Sequence, residues 1–71
     1  MELDALARVV LKYIEERDGQ TILLKNMQKD TAITQATIRR KIKLLIEKGL
    51  ILRDGKTFTI RKETETFEQK N

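Results

Sequence analysis

The stretch Ile33–Ile60, ITQATIRRKIKLLIEKGLILRDGKTFTI, decides the fold. Thr34 is a good N-cap, because its hydroxyl can accept from a free backbone N–H of the first helical turn. Ile33 before the cap and Ile38 four positions after it can close a hydrophobic staple. Ile38, Ile42 and Leu45 then fall on one face, with Ile46 flanking. The spacing predicts a helix over Gln35–Lys48 that stops at Gly49. Beyond it, Leu50–Arg53 and Lys56–Arg61 read as strands. The Asp54-Gly55 pair between them is the strongest short signal for a two-residue hairpin link.

Toward the N-terminus, residues 3–17 carry the strongest helical pattern. Leu3, Leu6, Ala7, Val10, Leu11 and Ile14 form one apolar stripe. Glu2 and Asp4 sit where the helix dipole favours negative charge. Asp18-Gly19 ends the helix, with Gly19 suited to a left-handed position. Gln20–Ile22 reads as a short strand. A weaker helix covers Leu24–Thr31, with Leu24 and Met27 inward, and a turn runs through Ala32 and Ile33. Residues 63–71 form a polar tail with one large apolar side chain, Phe67. The predicted architecture is mainly α with a small β-hairpin. Two helices joined by a brief turn make a helix-turn-helix, and the hairpin supplies a wing of two or three strands, all within residues 1–62.

A chain of 71 residues is one domain near the lower limit for a self-sufficient core. It has no Cys, so neither a disulfide nor a thiolate metal site supports that core. It has no His, which removes the commonest general base and metal ligand. No cofactor or metal is expected. Glu15, Glu16 and Asp18 form the densest acidic cluster, which reads as solvated surface beside Arg17. No nucleophile–base pair or phosphate-cradling glycine loop is present, so the chain does not read as an enzyme. No apolar run approaches a membrane span and no signal peptide is evident, so a cytoplasmic protein is expected.

Charge is distributed unevenly. Residues 32–62 carry nine Lys or Arg against Glu47 and Asp54, a net of +7, whereas residues 1–31 carry −1 and residues 63–71 carry −2. A cationic helix beside a cationic hairpin suits a grooved polyanion, of which duplex DNA is the commonest.

Thr34-Gln35-Ala36-Thr37-Ile38-Arg39-Arg40, then Ile42, Leu45 and Lys48-Gly49-Leu50-Ile51, resembles the recognition helix and exit of winged helix-turn-helix regulators such as the MarR group. The resemblance covers about residues 20–61, and the first helix is compatible with it. It implies a third helix that enters the major groove and a wing on the backbone or in the minor groove. The long terminal helices that build the dimer of full-length MarR proteins have no counterpart here.

The candidate contacts follow from the helix faces. Gln35, Ala36, Thr37, Arg39, Arg40 and Lys43 lie on or beside the face opposite the apolar one, with Thr34 at its start. Gln35 can pair with adenine, and Arg39 or Arg40 with guanine, through planar two-point hydrogen bonds. Ala36 and Thr37 admit close approach to a thymine methyl. Against this stands the plainer reading of a solvated basic face. Arg53, Gly55 and Lys56 form the wing candidates, although cations also protect an edge strand. Lys25 and Lys29 are candidates for the DNA backbone, Arg61 and Lys62 equally for solvent. Val9 and Tyr13 extend the apolar face of the first helix, either as core or as a homodimer interface on which Phe67 can dock.

The expectation is a sequence-specific binder of double-stranded DNA, a homodimer acting in transcription or in replication or partition. Two alternatives remain open: a winged-helix protein-interaction module of a larger assembly, and an RNA-binding winged helix. Scarce aromatics speak against single-strand recognition.

Overall fold

A computed structural model describes residues 3–61. Glu2, Lys62, the tail 63–71 and with it Phe67 lie outside the described residues. Three helices are followed by an antiparallel hairpin: α1 (Ala5–Glu16), α2 (Leu24–Thr31), α3 (Gln35–Glu47), β1 (Ile51–Asp54) and β2 (Thr57–Ile60). This is the mainly helical layout with a small hairpin that the apolar periodicities predict.

α1 begins two residues later than its stripe suggests. Asp4 occupies the N-cap, its carboxylate accepting from the Ala7 N–H at 2.8 Å, so Leu3 precedes the helix. The buried face is Ala7, Val10, Tyr13 and Ile14. Leu6, read as part of the stripe, is instead 43% exposed, and Tyr13 takes its place in the core. Leu6, Val9 and Tyr13 share one flank of the helix by their spacing. The first two lie open, while over the third α2 supplies Asp30, whose Oδ2 accepts the Tyr13 hydroxyl at 2.7 Å.

α2 has the predicted bounds and buries Met27. It ends at Ala32 in the left-handed region, φ 65°. No glycine marks this turn. It is held by the Ala32 N–H on the Gln28 carbonyl at 2.8 Å and by Thr31, whose hydroxyl donates to the Met27 carbonyl and accepts from the Ile33 N–H. Thr34 then caps α3, accepting from the Thr37 N–H at 3.4 Å. α3 ends one residue short of Lys48, which is its C-cap. Gly49 at φ 74° lets two N–H groups turn back: its own to Ile46 and that of Leu50 to Leu45. This is the Schellman arrangement, which turns the chain directly into β1.

The hairpin is shifted by one residue from the sequence reading. Asp54 pairs with Thr57, so the two-residue link is Gly55-Lys56, and Asp54 belongs to the strand. Gly55 has φ 65°, and Lys56 is not in the positive-φ region. Positive φ at the first linking position alone is the II′ pattern, which wants Gly there, whereas Asp-Gly as the link requires it at both. The predicted strand Gln20–Ile22 is reduced to one bridge, Thr21 to Thr57. The Gln20 N–H is engaged by the Arg17 carbonyl, which leaves too few residues to form a ladder. Even so, Gly19 and Ile22 donate to the Phe58 and Lys56 carbonyls, both at 2.8 Å. The segment therefore covers this edge of β2. Asp18 completes the cover by accepting the Ile60 N–H at 2.8 Å, a structural task that the reading of a solvated acidic cluster did not foresee.

The core joins Val10, Tyr13 and Ile14 of α1 to Met27 of α2, to Ile38, Ile42 and Leu45 of α3, and to Ile22, Ile33, Ile51 and Phe58. Among the described residues no polar or charged residue is buried, and no helix is long and apolar enough to cross a membrane.

Candidate nucleic-acid interface

α3 packs Ile38, Ile42 and Leu45 inward, which turns Ala36, Arg39, Arg40 and Lys43 outward as exposed residues. Their spacing of three and four puts them on adjoining faces of the same helix. Among the described residues, Arg39, Arg40 and Lys43 have no carboxylate within ion-pair distance. They are long cations held on a rigid helix.

Lys41 belongs to the same cationic run but not to the same surface. Its Nζ lies 2.8 Å from Asp4 Oδ2, and its side chain is only 20% exposed. The pair ties the start of α1 to the middle of α3. The Lys41 hydrogen bond, followed by the Ala7 N–H, holds the Asp4 carboxyl below the usual aspartate range. No sequence signal links residues 37 positions apart, so this contact was not legible.

The first turn of α3 is divided between structure and surface. Thr34 is exposed, but its hydroxyl both accepts from the Thr37 N–H and donates to the Thr37 hydroxyl at 3.1 Å. Thr34 is thereby a capping residue first, and Thr37 keeps its own proton for another acceptor. Gln35 is half-buried and lies toward α2 and the hairpin, bordering a groove of about 490 Å³.

That groove brings together four residues from three separate elements: Lys25 of α2, Gln35 of α3, and Arg53 and Lys56 of the hairpin. Arg53 is fixed in place. Its Nε donates to the Gly55 carbonyl at 2.9 Å, and its guanidinium sits 5.4 Å from the Phe58 ring centroid. Lys56 is exposed in the turn itself. Lys29 is exposed in the last turn of α2, where it suits the helix dipole, and does not border the groove. Arg61 is exposed beyond the base of the hairpin.

The two proposed interface residues of α1 separate. Val9 is 43% exposed, but Tyr13 is a core residue, its ring stacked under the Arg17 guanidinium at 3.7 Å. Burial, then the Asp30 hydrogen bond, pushes the Tyr13 hydroxyl pKa up. A buried tyrosine needs a partner for its O–H, and Asp30, 17 residues away, supplies it only once α2 packs on α1. Phe67 lies outside the described residues.

Among the described residues no group of three or more acidic, His or Cys side chains is placed to hold a metal ion. No protein-family model matches this chain, and neither a curated protein nor a solved structure matches it.

Proposed function

We propose that this chain is a winged helix-turn-helix domain that binds double-stranded DNA and acts in the regulation of transcription or of replication and partition. In this reading α3 enters the major groove, with Arg39 and Arg40 at base edges and Lys43 beside them. The wing residues Arg53 and Lys56, together with Lys25, hold the backbone. The observation that carries the reading is the distribution of charge in space: Arg39, Arg40 and Lys43 face outward without carboxylate partners among the described residues, next to a hairpin whose turn presents Lys56. RNA is less well supported. Single-strand recognition stacks bases on exposed aromatics, and Tyr13 and Phe58 are both buried. The protein-interaction alternative predicts no dependence on a polyanion and is tested by the same titration.

Duplex binding measured across salt concentrations tests the proposal. With about four to eight phosphates contacted, affinity falls by orders of magnitude between low and moderate salt. A flat response, or no binding at low salt, overturns it. Arg39→Ala or Arg40→Ala should cost about 1–3 kcal/mol on a specific site and much less on a scrambled duplex. Lys56→Ala should weaken both alike. Equal losses on both duplexes for the arginine variants would remove base readout from α3.

A single recognition helix reads only a few base pairs, so the proposal includes a homodimer whose two helices meet half-sites about 34–36 Å apart. The exposed flank of α1 at Leu6 and Val9 supports this as the contact surface.

A further inference from the structure

The groove between α2, the start of α3 and the hairpin has two kinds of wall. Leu23 and Leu24 are half-buried and Phe58 is buried, whereas Lys25, Arg53 and Lys56 supply cations around this apolar floor. A phosphate makes no use of the apolar half, and a purely apolar ligand makes none of the cations. A segment that is both aromatic and acidic uses both. We propose that this groove seats the chain's own C-terminal segment, residues 62–71, with Phe67 over the apolar floor and Glu65 and Glu68 toward the cations.

Three observations support that occupant. The sequence KETETFEQKN places its only large apolar side chain between two glutamates, and within it residues 63–68 carry three glutamates and no cation, opposite the three cations of the groove. Among the described residues neither Lys25 nor Lys56 has a carboxylate partner. The reach is also sufficient. Arg61 leaves the hairpin base with its N–H on the Leu50 carbonyl. Phe58 lies three residues back, about 10 Å along the strand. Phe67 lies six residues onward, a span of up to about 20 Å. A rival surface among the described residues is the hollow of about 200 Å³ beside Val9 and Tyr13, bordered by Glu16 as well as Lys12, which offers an acidic segment no net attraction. A docked segment occupies Lys25, Arg53 and Lys56, so it competes with duplex DNA; this consequence rests on the DNA-binding reading.

Phe67→Ala in the full chain removes the anchor without changing charge. Without DNA, the backbone amide resonances of Leu23, Leu24, Lys56 and Phe58 should shift from their wild-type positions while those of α1 stay. Glu65→Gln combined with Glu68→Gln should move the same resonances. With the segment docked in about four-fifths to nine-tenths of molecules, Phe67→Ala should tighten duplex binding about fivefold to tenfold. Unmoved groove resonances overturn the proposal, as do shifts at Val9 and Tyr13 instead. Shifts that vanish on dilution also overturn it, because they assign the segment to a second copy. If the groove resonances move but neither protein binds duplex, the docked segment stands and the DNA-binding reading falls. If they do not move while salt-sensitive duplex binding persists, the docking falls alone.

Discussion

Asp4 uses one carboxylate oxygen to cap α1 and the other to hold Lys41 of α3. Both contacts favour the charged form, so the folded-state pKa lies below that of the unfolded chain. The stabilisation is then present above the ordinary aspartate range and is lost as pH falls through the depressed value. Lys41→Met should lower the urea midpoint most at neutral pH, and the gap to wild type should close below about pH 4. A gap independent of pH would mean that Lys41 acts through its stem and not its charge. Tyr13 makes a comparable demand on the core. Tyr13→Phe keeps the ring under Arg17 but leaves Asp30 without its donor, so urea unfolding should show a loss of about 1 kcal/mol.

At the level of the elements, four turns set the directions of the helices and hairpin, and each holds one residue at positive φ: Gly19, Ala32, Gly49 and Gly55. Ala32 holds a left-handed conformation that costs an L-residue about 1–2 kcal/mol, and its side chain is exposed. Ala32→Gly should therefore raise the melting temperature, partly offset by the greater freedom of the unfolded glycine chain. A lower melting temperature would show that the methyl group packs. Gly55→Ala has the opposite sign. Nothing lies within 4 Å of the added Cβ, so the cost is conformational, about 1 kcal/mol, and should appear as faster amide exchange in β1 and β2. Gly49 shows why the helix exit was legible: the Lys48-Gly49-Leu50 step carries the one residue type that closes a Schellman turn without strain. The turn at Ala32 carries no such mark, and its left-handed residue was not legible.

At the scale of the whole molecule, one flank of α1 lies uncovered among the described residues. Leu6 and Val9 are each 43% exposed on the flank of α1 that leads to Tyr13. Because Tyr13 is in the core, a charge there would unfold the domain and could not report on an interface. Val9→Glu avoids this. It should leave thermal unfolding nearly unchanged, lower the protein bound to a two-half-site duplex at limiting protein from two protomers to one, and remove cooperative binding. A wild-type chain that sediments as a monomer without DNA and binds a two-half-site duplex without cooperativity would remove the homodimer from the proposal.

Much of this architecture followed from residues near one another in the chain. The cap at Thr34, the Ile38–Ile42–Leu45 face, the stop at Gly49 and the bounds of α2 are set by backbone hydrogen-bonding needs and by a repeat of 3.6 residues, both local properties. The outward face of α3 followed with them, since burying one side of a helix exposes the other. The hairpin link was legible only to within one residue, because Asp54-Gly55 and Gly55-Lys56 both place Gly55 in a turn and pairing with Thr57 chose between them. Other features depended on chain segments far apart. Leu6 belonged to the apolar stripe and Tyr13 read as core or interface, until Asp30 lay over Tyr13 and left Leu6 open. Lys41 counted only toward the net charge of the cationic run, and its partner Asp4, 37 residues away, came from the packing of α1 on α3. The groove that joins Lys25, Gln35, Arg53 and Lys56 exists only because α2, α3 and the hairpin meet. A sequence pattern fixes the direction a side chain takes from its own element. What waits there is decided by the packing of the others.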